Sequence, residues 1–492
     1  MLTAIVFVPA AGALLIAVLG RNTRMVRGIA LTAVLLDLGL ALGLFAAYYS
    51  DPGGVQFPQR AAWIPLFNIE YFLGVDGLSV PLVLLTGILG LSAVLVSWRI
   101  NVRVREFFFW LLLLQTSVMG VFVALDMVLF FVFWELELVP MYFLIATWGT
   151  GRREYSAMKF LIFTFLGSAF MFAAILVVYF SFPEAERTFD MTVLAQRDMT
   201  ALLIPAQLVF GGFLIAFAVK LPVFPLHTWL PDAHTDAPTA VSVMLAGVLL
   251  KMGGYGLFRI NASIFPDEMV DAAPLLAGFA VVNVLYGAFI VMRQTDLKRL
   301  VAYSSISHMG FVLLGLASMG ASRDHLSTVG LNGAAMQLFT HGTITGLLFV
   351  VVGLIYERTH TRHIPDMGGL ASRMPLIGIV FMLAGLASLG LPFTSGFVAE
   401  TLVFLGTFPV WSWATGLAAF GLVLATGYIL WMAQRTLFGP RPARYDDLPD
   451  ASLVDVAAMG VLLVPVLVVG VYPKLLTDIF DSSMTQIMLR LG

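Results

Sequence analysis

The chain has 492 residues, 60% hydrophobic and 11% charged, with 27 Lys and Arg against 29 Asp and Glu. A soluble domain carries about 25% charged residues, so an ordinary soluble fold is excluded, and a formal net charge of −2 leaves no basic footprint for nucleic acid. The lack of cysteine excludes disulfides and thiolate-held iron–sulfur clusters in this chain.

A helix needs about 20 apolar residues to cross the hydrocarbon core of a bilayer. Fourteen segments qualify, near 2–19, 27–48, 77–98, 107–125, 127–148, 157–181, 201–230, 238–258, 272–292, 300–319, 332–356, 376–408, 411–436 and 454–473. The first begins without a basic region and ends without a small-residue cleavage site, so it reads as a span rather than a removed signal peptide. The longest polar stretches are 49–76, 182–200 and 437–453, and no soluble domain is inserted. The expected fold class is an all-α polytopic membrane protein of about 14 transmembrane helices.

Basic residues set the orientation. Alternate loops carry Arg21, Arg24, Arg27; Arg99, Arg103, Arg105; Arg152, Arg153, Lys159; Arg293, Lys298, Arg299; Arg358, Arg362, Arg373; and Arg435, Arg441, Arg444. The opposite side holds Arg60, Arg187, Arg197, Arg259, Arg323, Lys474 and Arg490. Both termini are therefore expected to face outward, away from the cytoplasm of a bacterial inner membrane.

Two spans carry breaks. The seventh is interrupted at Lys220-Leu-Pro222-Val-Phe-Pro225 and the twelfth at Gly390-Leu-Pro392-Phe-Thr-Ser-Gly396. Proline removes a helical hydrogen bond, and broken backbone at membrane depth is tolerated only where protein or a cavity surrounds it. Breaks five spans apart suggest two five-helix repeats of opposite topology. The expected organisation is three N-terminal helices (1–105), a first repeat (106–260), a second, inverted repeat (261–440) and a last helix (441–492).

Five charged side chains fall inside these apolar runs: Glu135, Glu137, Lys220, Lys251 and Glu400. An ionisable group at that depth costs roughly 2.5–3.5 kcal/mol on insertion scales and marks a functional site by default. Glu135 lies near the middle of span five and is expected to pair with Lys220. Glu137, about 200° further round the helix, is expected to face elsewhere. Lys220 ends the first half of span seven, where the helix dipole favours a cation; the alternative is a static brace for the break. Lys251 sits among small residues about five from the outward end of span eight, within reach of snorkelling. His308 and His341, flanked by serines and threonines, can pass a proton between ring nitrogens, or can simply be hydrogen-bonded packing groups. One histidine per helix disfavours stacked haems. His227, His234, His360 and His363 read as surface or entrance residues. Glu400 begins the second half of span twelve, where the dipole favours a carboxylate.

The stretches Trp134-Glu135-Leu-Glu137-Leu-Val-Pro140, Phe217-Ala-Val-Lys220-Leu-Pro222-Val-Phe-Pro225-Leu-His-Thr-Trp-Leu-Pro231-Asp-Ala-His234 and Ser304-Ser-Ile-Ser-His308-Met-Gly resemble the antiporter-like membrane subunits of respiratory NADH–quinone oxidoreductase (complex I). His341-Gly, Tyr356-Glu-Arg-Thr-His360 and Gly396-Phe-Val-Ala-Glu400 resemble the same subunits, nearest the branch called M, or 4 in mitochondria and D in photosynthetic relatives. The resemblance implies an antiporter-like fold and one proton channel, with Glu135, Lys220, Lys251, His308, His341 and Glu400 as its relay. It implies a subunit of a proton-pumping oxidoreductase with no cofactor of its own, the flavin, iron–sulfur clusters and quinone lying in partner subunits. It implies neighbours L and N and the lateral helix of L, besides lipid. The chain ends soon after span fourteen, which favours M over L. The Glu-Leu-Glu run resembles the photosynthetic branch, leaving NADH and ferredoxin both open as donor. The alternatives are a subunit of a multisubunit sodium/proton antiporter, a membrane-bound hydrogenase subunit, or a scaffold with static charges.

Overall fold

In hydrocarbon every backbone N–H and C=O must be satisfied within the protein, which leaves helices as the cheapest crossing. The computed structural model describes residues 1–320 and 327–491, and Arg323 lies outside the described residues. Among the described residues, twelve helices are long and apolar enough to cross a membrane. Two further crossings are split, Ala206–Lys220 followed by Trp229–Asp236 and Pro375–Ser388 followed by Ser395–Thr407. Together they make the fourteen expected spans.

The breaks sit at the prolines. Past Lys220 the backbone turns through Pro222, and the amide of Val223 reaches the Ala218 carbonyl at 2.8 Å. At the second break Gly390 has φ +69°, a left-handed conformation in which a side chain is strained. A Cβ there would also stand 2.5 Å from Oε2 of Glu400.

Span starts are capped by side chains that satisfy otherwise orphaned amides. Asn22, Asp126 and Asp296 do so for spans two, five and ten, and Ser452 with Asp455 forms a capping box for span fourteen.

Spans three (Ser79–Val96), eight (Thr239–Ala262), ten (Leu297–Gly320) and eleven (Val329–Thr359) are almost wholly buried, whereas spans one, two, six, thirteen and fourteen turn most of their surface outward. The central helices carry the functional side chains. Span eight is irregular: it passes from α (Thr239–Met244) to π (Leu245–Leu249), back to α (Leu250–Gly256) and again to π (Leu257–Ala262). Single π turns of this kind widen a helix and recur at functional sites.

The polar 49–76 stretch holds an antiparallel hairpin of β1 (Gln56–Ile64) and β2 (Ile69–Val75). Arg60 holds it through ion pairs to Glu70 at 3.0 Å and Asp190 at 2.5 Å, over the Phe72 ring at 3.6 Å. Beyond span fourteen an amphipathic helix, Lys474–Met488, buries Leu476, Ile479, Phe480 and Met484.

Candidate functional site

Span five (Met127–Trp148) is interrupted at Glu137, between helical segments ending at Leu136 and beginning at Leu138. Phe130, Phe133, Trp134, Glu137, Met141 and Leu144 form its buried face. Val132, Val139 and Phe143 are exposed on the other. Glu137 therefore points inward and Glu135, half-buried, does not.

The expected Glu135–Lys220 pair is corrected accordingly: the Lys220 ammonium bonds Glu137 Oε1. Both partners are buried, and the ammonium also lies 5.5 Å from the Trp134 ring and 5.4 Å from Phe160. Glu135 turns toward Ser168 of span six (Arg153–Ser181), close enough to Lys220 to feel its charge. One oxygen of each glutamate has no hydrogen-bond partner within the protein.

Span eight packs directly on the break. A Cβ at Gly253 would stand 2.6 Å from the Leu221 amide nitrogen and 2.7 Å from the Phe217 carbonyl. That close approach, possible only for glycine, sets Lys251 against the segment that ends in Lys220. Lys251 is fully buried, and its helix continues to Ala262, so it does not snorkel. Its ammonium reaches back to the Ala246 carbonyl in the π turn and bonds His341 Nδ1 at 2.7 Å.

His341 in turn contacts Thr345 Oγ1 through Nε2 at 3.0 Å. Its ring centroid is 5.4 Å from that of His308. His308 places Nδ1 2.8 Å from the Ser304 carbonyl and Nε2 2.9 Å from the Ser388 carbonyl. Nε2 also lies 3.4 Å from the Ser388 hydroxyl oxygen. Glu400 Oε1 lies 3.8 Å from Nε2, and Glu400 Oε2 has no partner in the protein.

A cavity of about 10 Å³ separates His308, His341, Gln337, Thr340, Ser388 and Glu400. That is the space of roughly one water molecule, in a setting with the polar partners a water requires. The result is a buried run from Lys251, hydrogen-bonded to His341, across the water-sized cavity to His308 and Glu400, with the Glu137–Lys220 pair one helix contact upstream.

Sequence reasoning misplaced two histidines and missed an acid. His227 and His234 are buried, not surface residues, while His360 and His363 are exposed as expected. His234 is stacked on Phe349, with centroids 4.5 Å apart, and neither ring nitrogen has a partner in the protein. Asp37, buried in span two (Thr23–Ser50), accepts from Gln115 Nε2 at 2.5 Å. Its place in an apolar run was the available signal. Among the described residues no cluster of three His, Cys, Asp or Glu could hold a metal ion.

Fourteen crossings, two broken helices and a buried charge line define a polytopic, antiporter-like membrane protein. Residues 124–426 match the family described as "NADH:quinone oxidoreductase/Mrp antiporter, TM". The chain is 44% identical to NAD(P)H-quinone oxidoreductase chain 4 1 of Synechococcus elongatus, over 99% of this chain and 91% of the relative. It superposes on a chain of respiratory complex I from Thermus thermophilus with a TM-score of 0.90 and 30% identity, each chain covered over 100% of its length. An archaeal respiratory complex, the membrane-bound sulfane sulfur reductase, gives a TM-score of 0.84 at 26% identity over 96% of this chain and 76% of that one. The chain belongs to the NADH:quinone oxidoreductase/Mrp antiporter transmembrane family.

Proposed function

We propose that this chain is the proton-translocating membrane-arm subunit, of the chain 4 type, of an NAD(P)H-quinone oxidoreductase. The observation that carries the reading is the run Lys251–His341–His308–Glu400, buried throughout, with Lys251 hydrogen-bonded to His341 at 2.7 Å, His308 3.8 Å from Glu400 and a water-sized cavity lined by His341, His308 and Glu400. Full-length identity to a relative of that name supports it.

In this reading Lys251 gives a proton to His341 Nδ1, and the water-sized cavity passes it by way of His308 to Glu400. The Glu137–Lys220 pair biases the step: when it is intact, its two charges cancel at Lys251, and when it opens, the freed Lys220 ammonium repels the Lys251 charge. Moving a proton against 100 mV costs about 2.3 kcal/mol.

The remaining assignments rest on the same reading. Helices 4–8 (106–260) and 9–13 (261–440) are two inverted repeats, flanked by 1–105 and 441–492. Both termini lie on the outer side of a bacterial inner membrane. The neighbours are subunits L and N with the lateral helix of L, and flavin, iron–sulfur clusters and quinone belong to partners. Glu135, on the half-buried face, is an accessory acid rather than the partner of Lys220. The likeness to a sulfane sulfur reductase chain keeps a second reading, a membrane subunit of another redox-driven ion pump.

Affinity purification of the complex from its own host tests the assignment. Co-purified flavin and iron–sulfur subunits, with NAD(P)H- or ferredoxin-driven quinone reduction that acidifies reconstituted vesicles, are expected. A complex of membrane subunits alone, exchanging sodium for protons without a reductant, would overturn it.

A further inference from the structure

Away from the relay lies an apolar cleft of about 440 Å³, framed by spans two, three, eleven and fourteen and the C-terminal helix. Leu42, Leu84, Ile88, Phe339 and Val464 wall it. Spans two and fourteen are largely outward-facing helices, so the cleft opens toward lipid. Its inner wall, Phe339, is two residues from His341.

Chemistry decides what fits. The cleft is about 440 Å³ and walled almost wholly by apolar side chains, a setting that suits a hydrocarbon chain. An empty apolar slot would forfeit the dispersion contacts of its walls.

The mouth has the opposite chemistry. Tyr49 at the end of span two and Tyr472 just past span fourteen are both exposed. Lys474 follows, exposed and without a carboxylate partner among the described residues. The next two residues, Leu475 and Leu476, line the cleft itself. Tyrosines mark the membrane–water interface, and an unpaired ammonium there complements a phosphate.

We propose that this cleft holds one acyl chain of an anionic phospholipid, its phosphate against Lys474, so that lipid forms part of the wall shielding the relay. The proposal needs only that the chain spans a membrane, and it stands or falls separately from the pumping assignment.

Gly460 supplies the test, because it lines the cleft and a Cβ there would meet nothing within 4 Å. Gly460→Phe places a ring at the wall of the cleft, starting from a Cβ position free of contacts. The intact complex is placed in phosphatidylcholine vesicles doped with phosphatidylglycerol carrying a photoreactive diazirine on its acyl chain, and labelled peptides are mapped. Peptides bearing Leu84 and Phe339 should label, and Gly460→Phe should reduce that labelling roughly tenfold. Labelling of exposed Phe420 in span thirteen should not change. Lys474→Glu should weaken labelling by the phosphatidylglycerol probe and leave a phosphatidylcholine probe unaffected. Cleft labelling no greater than at Phe420, labelling unchanged by Gly460→Phe, loss of both probes in Lys474→Glu, or capture of a protein helix in place of lipid would overturn the proposal.

Discussion

A lysine ammonium taken out of water needs a hydrogen-bonded anion, and Lys220 has two glutamates nearby, two residues apart on one helix. The inward face of span five presents Glu137, and the bond forms there. Glu137→Gln in the intact complex is therefore expected to abolish most coupled proton pumping, assayed by dye quenching in inverted vesicles, because removing one partner of a buried pair costs about 3–5 kcal/mol. Glu135→Gln should keep at least about half of it, since its face is half-buried and Ser168 and water can serve it. Equal loss in both would contradict the assignment. The residues of the relay were legible in the sequence because charge in an apolar run stands out; Lys220, Lys251, His308, His341 and Glu400 all come together. The pairing was not legible. In a soluble helix the apolar stripe tells inside from outside, but in lipid both faces of span five are apolar, so periodicity cannot say which glutamate points inward.

At the scale of elements, two helix contacts hold the relay in place. Span eight touches the break in span seven through Gly253, and a valine there would meet backbone atoms of Leu221 and Phe217, which cannot rotate away. Gly253→Val should lower the thermal stability or assembly yield of the subunit, with overpacking costing about 1–3 kcal/mol; an unchanged melting temperature would count against that contact. The C-terminal end of span eight is tied to the hairpin side by Arg259, whose two terminal nitrogens each reach Asp76 at 2.7 Å. The adjoining Leu78 amide bonds Ser483 of the C-terminal helix at 3.1 Å. Burial pushes the Asp76 carboxyl up, but the Arg259 guanidinium and the Ser79 donors override it and hold it below the usual carboxylate range. A lowered folded value means stability present above the unfolded value of about 3.9 and lost as pH falls through the folded one. Amide protection across Lys474–Met488 should thus stay level from about pH 8 to 5 and drop only below about pH 4. In Asp76→Asn it should already be reduced at neutral pH. The breaks were readable from Pro222, Pro225 and Pro392. The hairpin was not, because Gln56–Val75 is short, mixed in polarity and held by Arg60 to the distant Asp190.

For the whole molecule, fourteen apolar runs foretold fourteen crossings, since the bilayer forces each run to one solution. Which helices occupy the centre was beyond composition: spans eight and eleven are no more apolar than spans one and fourteen, yet the first pair is buried and the second faces lipid. Polar side chains, not hydrophobicity, separate them, because Lys251 and His341 can exist only inside. Charge is expected to pass through Lys251. The most direct test is Lys251→Ala in the assembled complex, comparing protons moved per quinone reduced with those of the unaltered complex in sealed vesicles. The account predicts that pumping falls in the variant and that coupled quinone reduction slows with it, while the complex still assembles with its redox subunits. Unchanged proton yield and unchanged coupled turnover in the assembled variant would contradict it.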